Sequence, residues 1–143
     1  NSKKEIGLYL GRQFGIDLSA SNWVSGIDFI LPVPLSHRKE AKRGYNQSAL
    51  IAQGMSDTLN IPVLYDALLR TRDTESQTQK SRAERIDNMK DAFTIHNPQL
   101  LAQKHVLIID DVLTTGATIE ACALALKDVP GIKLSAASIG LAN

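Results

Sequence analysis

Residues 106–119 read VLIIDDVLTTGATI, and the fold is decided by how this stretch is read. Residues 106–109 are continuously apolar and rich in β-branched side chains. That is the composition of a central parallel strand with helices on both faces. Two acids follow, Asp110 and Asp111, then a turn of small residues. A helix is predicted from about Thr118, with Ile119, Cys122, Ala123 and Leu126 on its buried side. Ligands of open α/β sheets bind outside the carboxyl ends of the strands. Adjacent carboxylates repel each other and gain nothing from burial in a core. At a strand end they make sense facing a polyol, a cation, or both. Carboxylates only accept hydrogen bonds, so they match the vicinal hydroxyls of a ribose.

The turn Thr114, Thr115, Gly116, Ala117 and Thr118 suits the opposite end of such a ligand. Small residues let successive backbone N–H groups converge on one point. The helix start adds unpaired amides and the favourable end of its dipole. Gly116 permits a positive φ or a close approach to an anion. A phosphate fits this cradle, so the segment reads as a sugar-phosphate site. The plainer reading makes Asp110 and Asp111 turn residues and Thr118 a helix cap. The complete order of strand, acid pair, TTG and helix favours the site. The motifs G-x-x-x-x-G-K-[ST] and G-x-G-x-x-G are absent, which argues against P-loop hydrolysis and dinucleotide redox chemistry.

Working outward, a helix is predicted over 3–15, with Ile6, Leu10 and Phe14 on its packing face and Gly15 as its stop. Residues 29–33 read as a short buried strand closed by Pro32 and Pro34. Residues 34–44 form a polar, basic loop carrying Arg38, Lys39, Lys42 and Arg43. Tyr45, Ala49, Ala52, Met55 and Leu59 fall at helical spacing and predict a helix over 45–59. A strand is expected at 61–65, then an exposed loop, RTRDTESQTQKS, at 70–81. Ser81 and Glu84 make a capping box for a helix from Arg82. Short strands are expected at 92–96 and 134–141, with a connection at 97–103. Alternating strands and helices predict one α/β domain with a mostly parallel central sheet flanked by helices.

The composition excludes several classes. The chain has 143 residues, 43% hydrophobic and 5% aromatic, with a formal charge of +1. That balance does not suit a general nucleic-acid binder, and single-strand binding would also need stacking aromatics. The basic clusters have a plain reading as solvated surface. Cys122 is the only cysteine, so no intrachain disulfide forms. His37, His96 and His105 lack metal-ligand spacing. No run reaches the roughly 20 apolar residues of a spanning helix, and no signal peptide is visible, so a cytoplasmic setting without membrane insertion is expected. The absence of an initiator Met suggests a piece of a longer polypeptide.

The 106–119 run resembles the signature of type I phosphoribosyltransferases. The stretches ILPVPLSHRKEAKRGYNQS at 30–48 and LLRTRDTESQTQKSRAERIDN at 68–88 make the chain most similar to the ComF (competence protein F) branch. The resemblance implies a phosphoribosyltransferase-type fold across 1–143. It also implies binding of phosphoribosyl pyrophosphate and Mg²⁺-dependent transfer to an unidentified nitrogenous acceptor. By position, Asp110 and Asp111 would hold the ribose hydroxyls, and Val112 and Leu113 would lead to the 5-phosphate cradle at 114–118. Pro34, Arg38, Lys42 and Arg43 would lie by the pyrophosphate. Arg70, Arg72, Gln77 and Lys80 would belong to a hood closing over the substrate. Mg²⁺ would be held mainly by substrate oxygens and water. Members of this branch usually carry an N-terminal cysteine-rich, zinc-ribbon-like segment, which this chain lacks. The alternative implied is a non-catalytic sugar-phosphate-binding or protein-interaction module, with a protein partner in DNA uptake.

Overall fold

The computed structural model describes residues 2–71 and 92–142. Arg72, Gln77, Lys80, the capping box at Ser81 and Glu84, and the helix expected from Arg82 all lie outside the described residues. A parallel sheet forms the centre. Its strands are β1 (Phe29–Pro32), β4 (His105–Leu113) and β5 (Lys133–Leu141), in the order β1-β4-β5. β1 pairs with β4 from Phe29↔Val106 to Pro32↔Ile109, and β4 pairs with β5 from His105↔Lys133 to Leu113↔Leu141. Alternate residues of a strand face opposite sides, and both sides here are covered. Ile30, Leu107 and Ile109 pack against Ile51, Ala52 and Met55 of helix α3 (Gln47–Leu59). Leu31, Val106 and Ile108 pack against Ala121, Cys122 and Leu126 of helix α4 (Ala117–Leu126). Two-sided burial is why VLII carries no polar alternation.

The strand expected at 61–65 shrinks to one parallel bridge, Ile30↔Val63. Ile30 donates to the Pro62 carbonyl at 2.9 Å and accepts from Leu64 N at 2.9 Å. Pro62 has no N–H of its own to extend the ladder. A separate antiparallel ribbon joins β2 (Leu68–Arg70) to β3 (Phe93–Ile95), from Leu68↔Ile95 to Arg70↔Phe93. β2 is too short to show a period and is not expected from the sequence. The Thr71 amide and hydroxyl both donate to the Ala92 carbonyl, at 2.6 and 3.0 Å.

Two helices depart from expectation. Helix α1 (Ser2–Leu18) runs through Gly15 instead of stopping there, and buries Gly7, Gly11 and Gly15. Its apolar residues Ile6 and Leu10 are exposed, at 54% and 37%. The three glycines lie four apart and let α1 approach α3 backbone to backbone, over Ile51, Gly54 and Met55. The expected basic loop contains helix α2 (His37–Arg43), none of whose residues is buried. Ser36 caps its start by accepting from Lys39 N at 3.2 Å. Gly44 ends it at φ 87°, where its amide donates to the Glu40 carbonyl. A helix with no buried face leaves no hydrophobic period to read, only its caps. Among the described residues no helix is long and apolar enough to cross a membrane.

Candidate active site

β4 is the longest element leading into the site, and it outruns its neighbour. The last β1-side contact is Val33 N donating to the Ile109 carbonyl at 2.9 Å. Asp110–Leu113 therefore continues as strand, paired with β5 alone, where the sequence suggested that the strand ends at Ile109. Backbone groups two residues apart face the same side of a strand. The Asp111 amide thus faces the place that β1 has left. The Asp110 carboxylate substitutes for the missing strand, its Oδ1 accepting from Asp111 N at 3.0 Å. Asp111 Oδ1 in turn accepts from the next amide, Val112 N, at 2.9 Å.

Asp110 is held from the other side by the start of α3. Asn46 caps that helix, accepting from Ser48 N at 3.0 Å, and its Nδ2 donates to the Val33 carbonyl at 3.1 Å. This ties the helix start to the end of β1. Ser48 is buried, and its hydroxyl donates to Asp110 Oδ1 at 3.5 Å. Burial raises the Asp110 carboxyl, and the Asp111 charge and carboxyl beside it raise it further. The Asp111 amide and Ser48 hydroxyl work in the opposite direction. The balance sits at about 6, against an ordinary 3.8.

After β4 the chain turns through Thr114, Thr115 and Gly116 into α4. Gly116 is the residue before the first helical turn and has φ 84°. A residue with a Cβ pays for that left-handed conformation, so Gly is the natural choice here. The Thr115 hydroxyl accepts from Ala117 N at 3.3 Å, so one amide of the helix start is engaged within the turn. Gly116 and Leu113 also line a cavity of about 350 Å³, with Ile119, Glu120 and residues 136–138 of β5. Val112 is 43% exposed, while Ala117 is buried beneath the turn.

Of the remaining expected residues, Pro34 follows β1 and is half-buried, whereas Arg38, Lys42 and Arg43 are carried on exposed α2. Arg43 meets Asp111 at a second cavity, lined by Lys3, Ile6, Arg43, Tyr45, Gln47 and Asp111. Arg70 ends β2, its guanidinium 4.9 Å from the centre of the Phe93 ring. Asp110, Asp111 and the 114–118 turn thus share one end of the sheet with Arg43. Sequence reading missed Ser48, Asn46, Gln47, Lys3 and Ile6. The S/N pair before an apolar helix is a visible cap signal, but nothing in the sequence links residues 3 and 6 to residue 111. Cys122 lies in the core, where burial pushes its thiol up to about 12. This agrees with a structural role.

The phosphoribosyl transferase domain family matches residues 45–139. This chain therefore belongs to the phosphoribosyl transferase domain family, in its ComF branch. It is 36% identical over 99 residues to Competence protein F of Haemophilus influenzae, covering 68% of this chain and 43% of that protein. It is 35% identical over 120 residues to DNA utilization protein YhgH of Escherichia coli O157:H7, covering 82% and 52%. The chain spans about half the length of these curated relatives. A purine phosphoribosyltransferase from Pyrococcus horikoshii shares its fold, with a TM-score of 0.57 at 18% identity, over 97% of this chain and 74% of that one.

Proposed function

We propose that this domain binds phosphoribosyl pyrophosphate at the end of β4 and transfers its phosphoribosyl group to a nitrogenous acceptor. The observation that carries the reading is the acid pair projecting beyond β1, followed directly by a glycine-φ turn into a helix start. Ionised Asp110 and Asp111 accept from the ribose hydroxyls. The turn at 114–118 receives the 5-phosphate. The reaction breaks the bond from the anomeric carbon to pyrophosphate and forms one to the acceptor nitrogen, whose proton leaves to solvent. Catalysis is positional and electrostatic. The carboxylates fix the ring and offset positive charge developing on it, while Arg43 faces the negative leaving group. No covalent nucleophile is required.

Mg²⁺ fits the oxygen donors at this site. It is a hard cation that keeps several waters and binds through one or two carboxylates plus substrate phosphates. Among the described residues no cluster of three or more His, Cys, Asp or Glu could cage a metal. Asp110 and Asp111 would hold it through substrate and water, where it would offset charge on the leaving pyrophosphate.

A second reading rests on the names of the relatives, a competence protein and a DNA utilization protein. In it the domain retains sugar-phosphate binding without turnover and docks on a protein partner in DNA uptake. Calorimetric titration with phosphoribosyl pyrophosphate, with and without Mg²⁺, tests the binding common to both readings. Pyrophosphate release with a panel of nitrogenous acceptors then separates them. Asp110→Asn with Asp111→Asn should weaken donor binding at least tenfold while circular dichroism stays unchanged. Unaltered affinity in that variant would remove the acid pair from the site.

A further inference from the structure

Helix α1 lies against α3 through its glycines, and several of its larger side chains face away from that contact. At about 100° of rotation per residue, Ile6, Tyr9, Gln13 and Ile16 fall on one stripe, spaced three, four and three apart. Gly7, Gly11 and Gly15 occupy the opposite side of the helix. Tyr9 and Ile16 are 59% and 51% exposed, with exposed Ile6 and Leu10 beside them. A contiguous apolar stripe, unlike a scattered apolar residue, marks an interaction surface. Its spacing is that of a seam between two helices, in which the side chains of one fit between those of the other.

The charges around the stripe select its occupant. Lys3, Leu10 and Asp17 flank one side of it, and Glu5 and Arg12 the other. Lys4 lies 6.0 Å from the centre of the Tyr45 ring, and Arg12 is held by Asp57 at 3.1 Å. Lys3, Lys4 and Arg12 thus balance Glu5, Asp17 and Asp57, so two such faces do not repel each other. Lys3 and Asp17 are about 21 Å apart along the helix axis, too far to pair within one chain. An antiparallel second α1, related by a two-fold axis at the level of Gly11, brings Lys3 of each copy to Asp17 of the other. The same alignment sets Ile6 against Ile16, and the Tyr9 hydroxyl against the Gln13 carboxamide. Opposed helix dipoles favour it as well.

We infer that the outer face of α1 is a contact between two copies of this chain, paired antiparallel about a two-fold axis. One helix pair buries less than the roughly 800 Å² per partner of a standard interface. The dimer is therefore reversible, and its population follows concentration. This inference is independent of the transferase reading above.

Sedimentation velocity of the intact chain, from micromolar to submillimolar concentration, should show a monomer–dimer equilibrium. Ile16→Glu should weaken it at least tenfold and leave circular dichroism unchanged, because Ile16 is exposed. Asp17→Lys should weaken it several-fold, and adding Lys3→Asp should restore it. Chains carrying Ile6→Cys and chains carrying Ile16→Cys, mixed under oxidation, should cross-link to each other and not to themselves. The native Cys122 is buried and does not compete. A chain that stays monomeric at every concentration overturns the inference. So does a dimer indifferent to Ile16→Glu, which would place the contact on another surface. Self-linking of the Ile6→Cys chain would mean parallel helices and equally overturn it.

Discussion

Asp110 is the residue where structure and chemistry conflict most directly. Its carboxylate terminates the open side of β4, yet it is buried beside a second acid. A carboxyl raised to about 6 binds its proton more tightly in the folded chain than in the unfolded one. Between about pH 4 and 6 the folded state therefore holds more protons. The neutral carboxyl is favourable below this window, and that advantage is lost as pH rises through it. Stability should fall from pH 4 to 6 by on the order of 2 kcal/mol from this group, measured by urea unfolding at fixed ionic strength. Asp110→Asn should flatten that slope, since an amide oxygen can still accept from Asp111 N. Asp110→Ala should cost stability at every pH, because it leaves that amide without its side-chain acceptor. An unchanged pH profile in the Asn variant would mean that another group titrates. If Asp110 accepts from the ribose diol as proposed, ribose 5-phosphate affinity should rise over the same window as its carboxyl ionises.

Among the elements, α1 gives the sharpest test of packing. Replacing a mid-helix Gly by Ala gains roughly 1 kcal/mol in helix propensity, so the sign depends on the space available. A methyl at Gly11 would run into the Ile51 carbonyl, and one at Gly54 into the Leu8 carbonyl. Backbone cannot step aside as a side chain can. Gly11→Ala and Gly54→Ala should each lower the unfolding free energy by about 1–3 kcal/mol. At Gly7 the added carbon would sit 3.1 Å from the Leu50 side chain, and the two effects should nearly cancel. Urea midpoints for the three variants check this order, and equal midpoints would contradict the close approach. The same contact explains why α1 was only half legible. Its helical period was visible through Ile6, Leu10 and Phe14, but only Phe14 packs against the core, while Ile6 and Leu10 are exposed. Here glycines make the closest part of the interface, beside Phe14 and Leu18.

Across the whole molecule, what could be read from the sequence was whatever depended on burial or on a local motif. VLII announced a strand covered on both faces, and DD-VL-TTGAT announced a turn into a helix at the sheet end. α2 stayed hidden because an exposed helix has no apolar stripe. β2 stayed hidden because three residues cannot display a period. The cavity at Asp111 stayed hidden because residues 3, 43 and 111 converge only after folding. The two-faced core also sets how far damage should spread. Ile108 is 1% exposed and packs on the α4 side of the sheet. Ile108→Ala should cost about 2–5 kcal/mol, read from thermal and urea unfolding. A smaller loss would mean that the α4 side collapses around the gap.

The seam between Thr71 and Ala92 has a separate consequence for substitution. Two donors of one residue, the Thr71 amide and hydroxyl, converge on a single carbonyl oxygen. A side chain without the hydroxyl therefore still leaves the main-chain bond to close the ribbon.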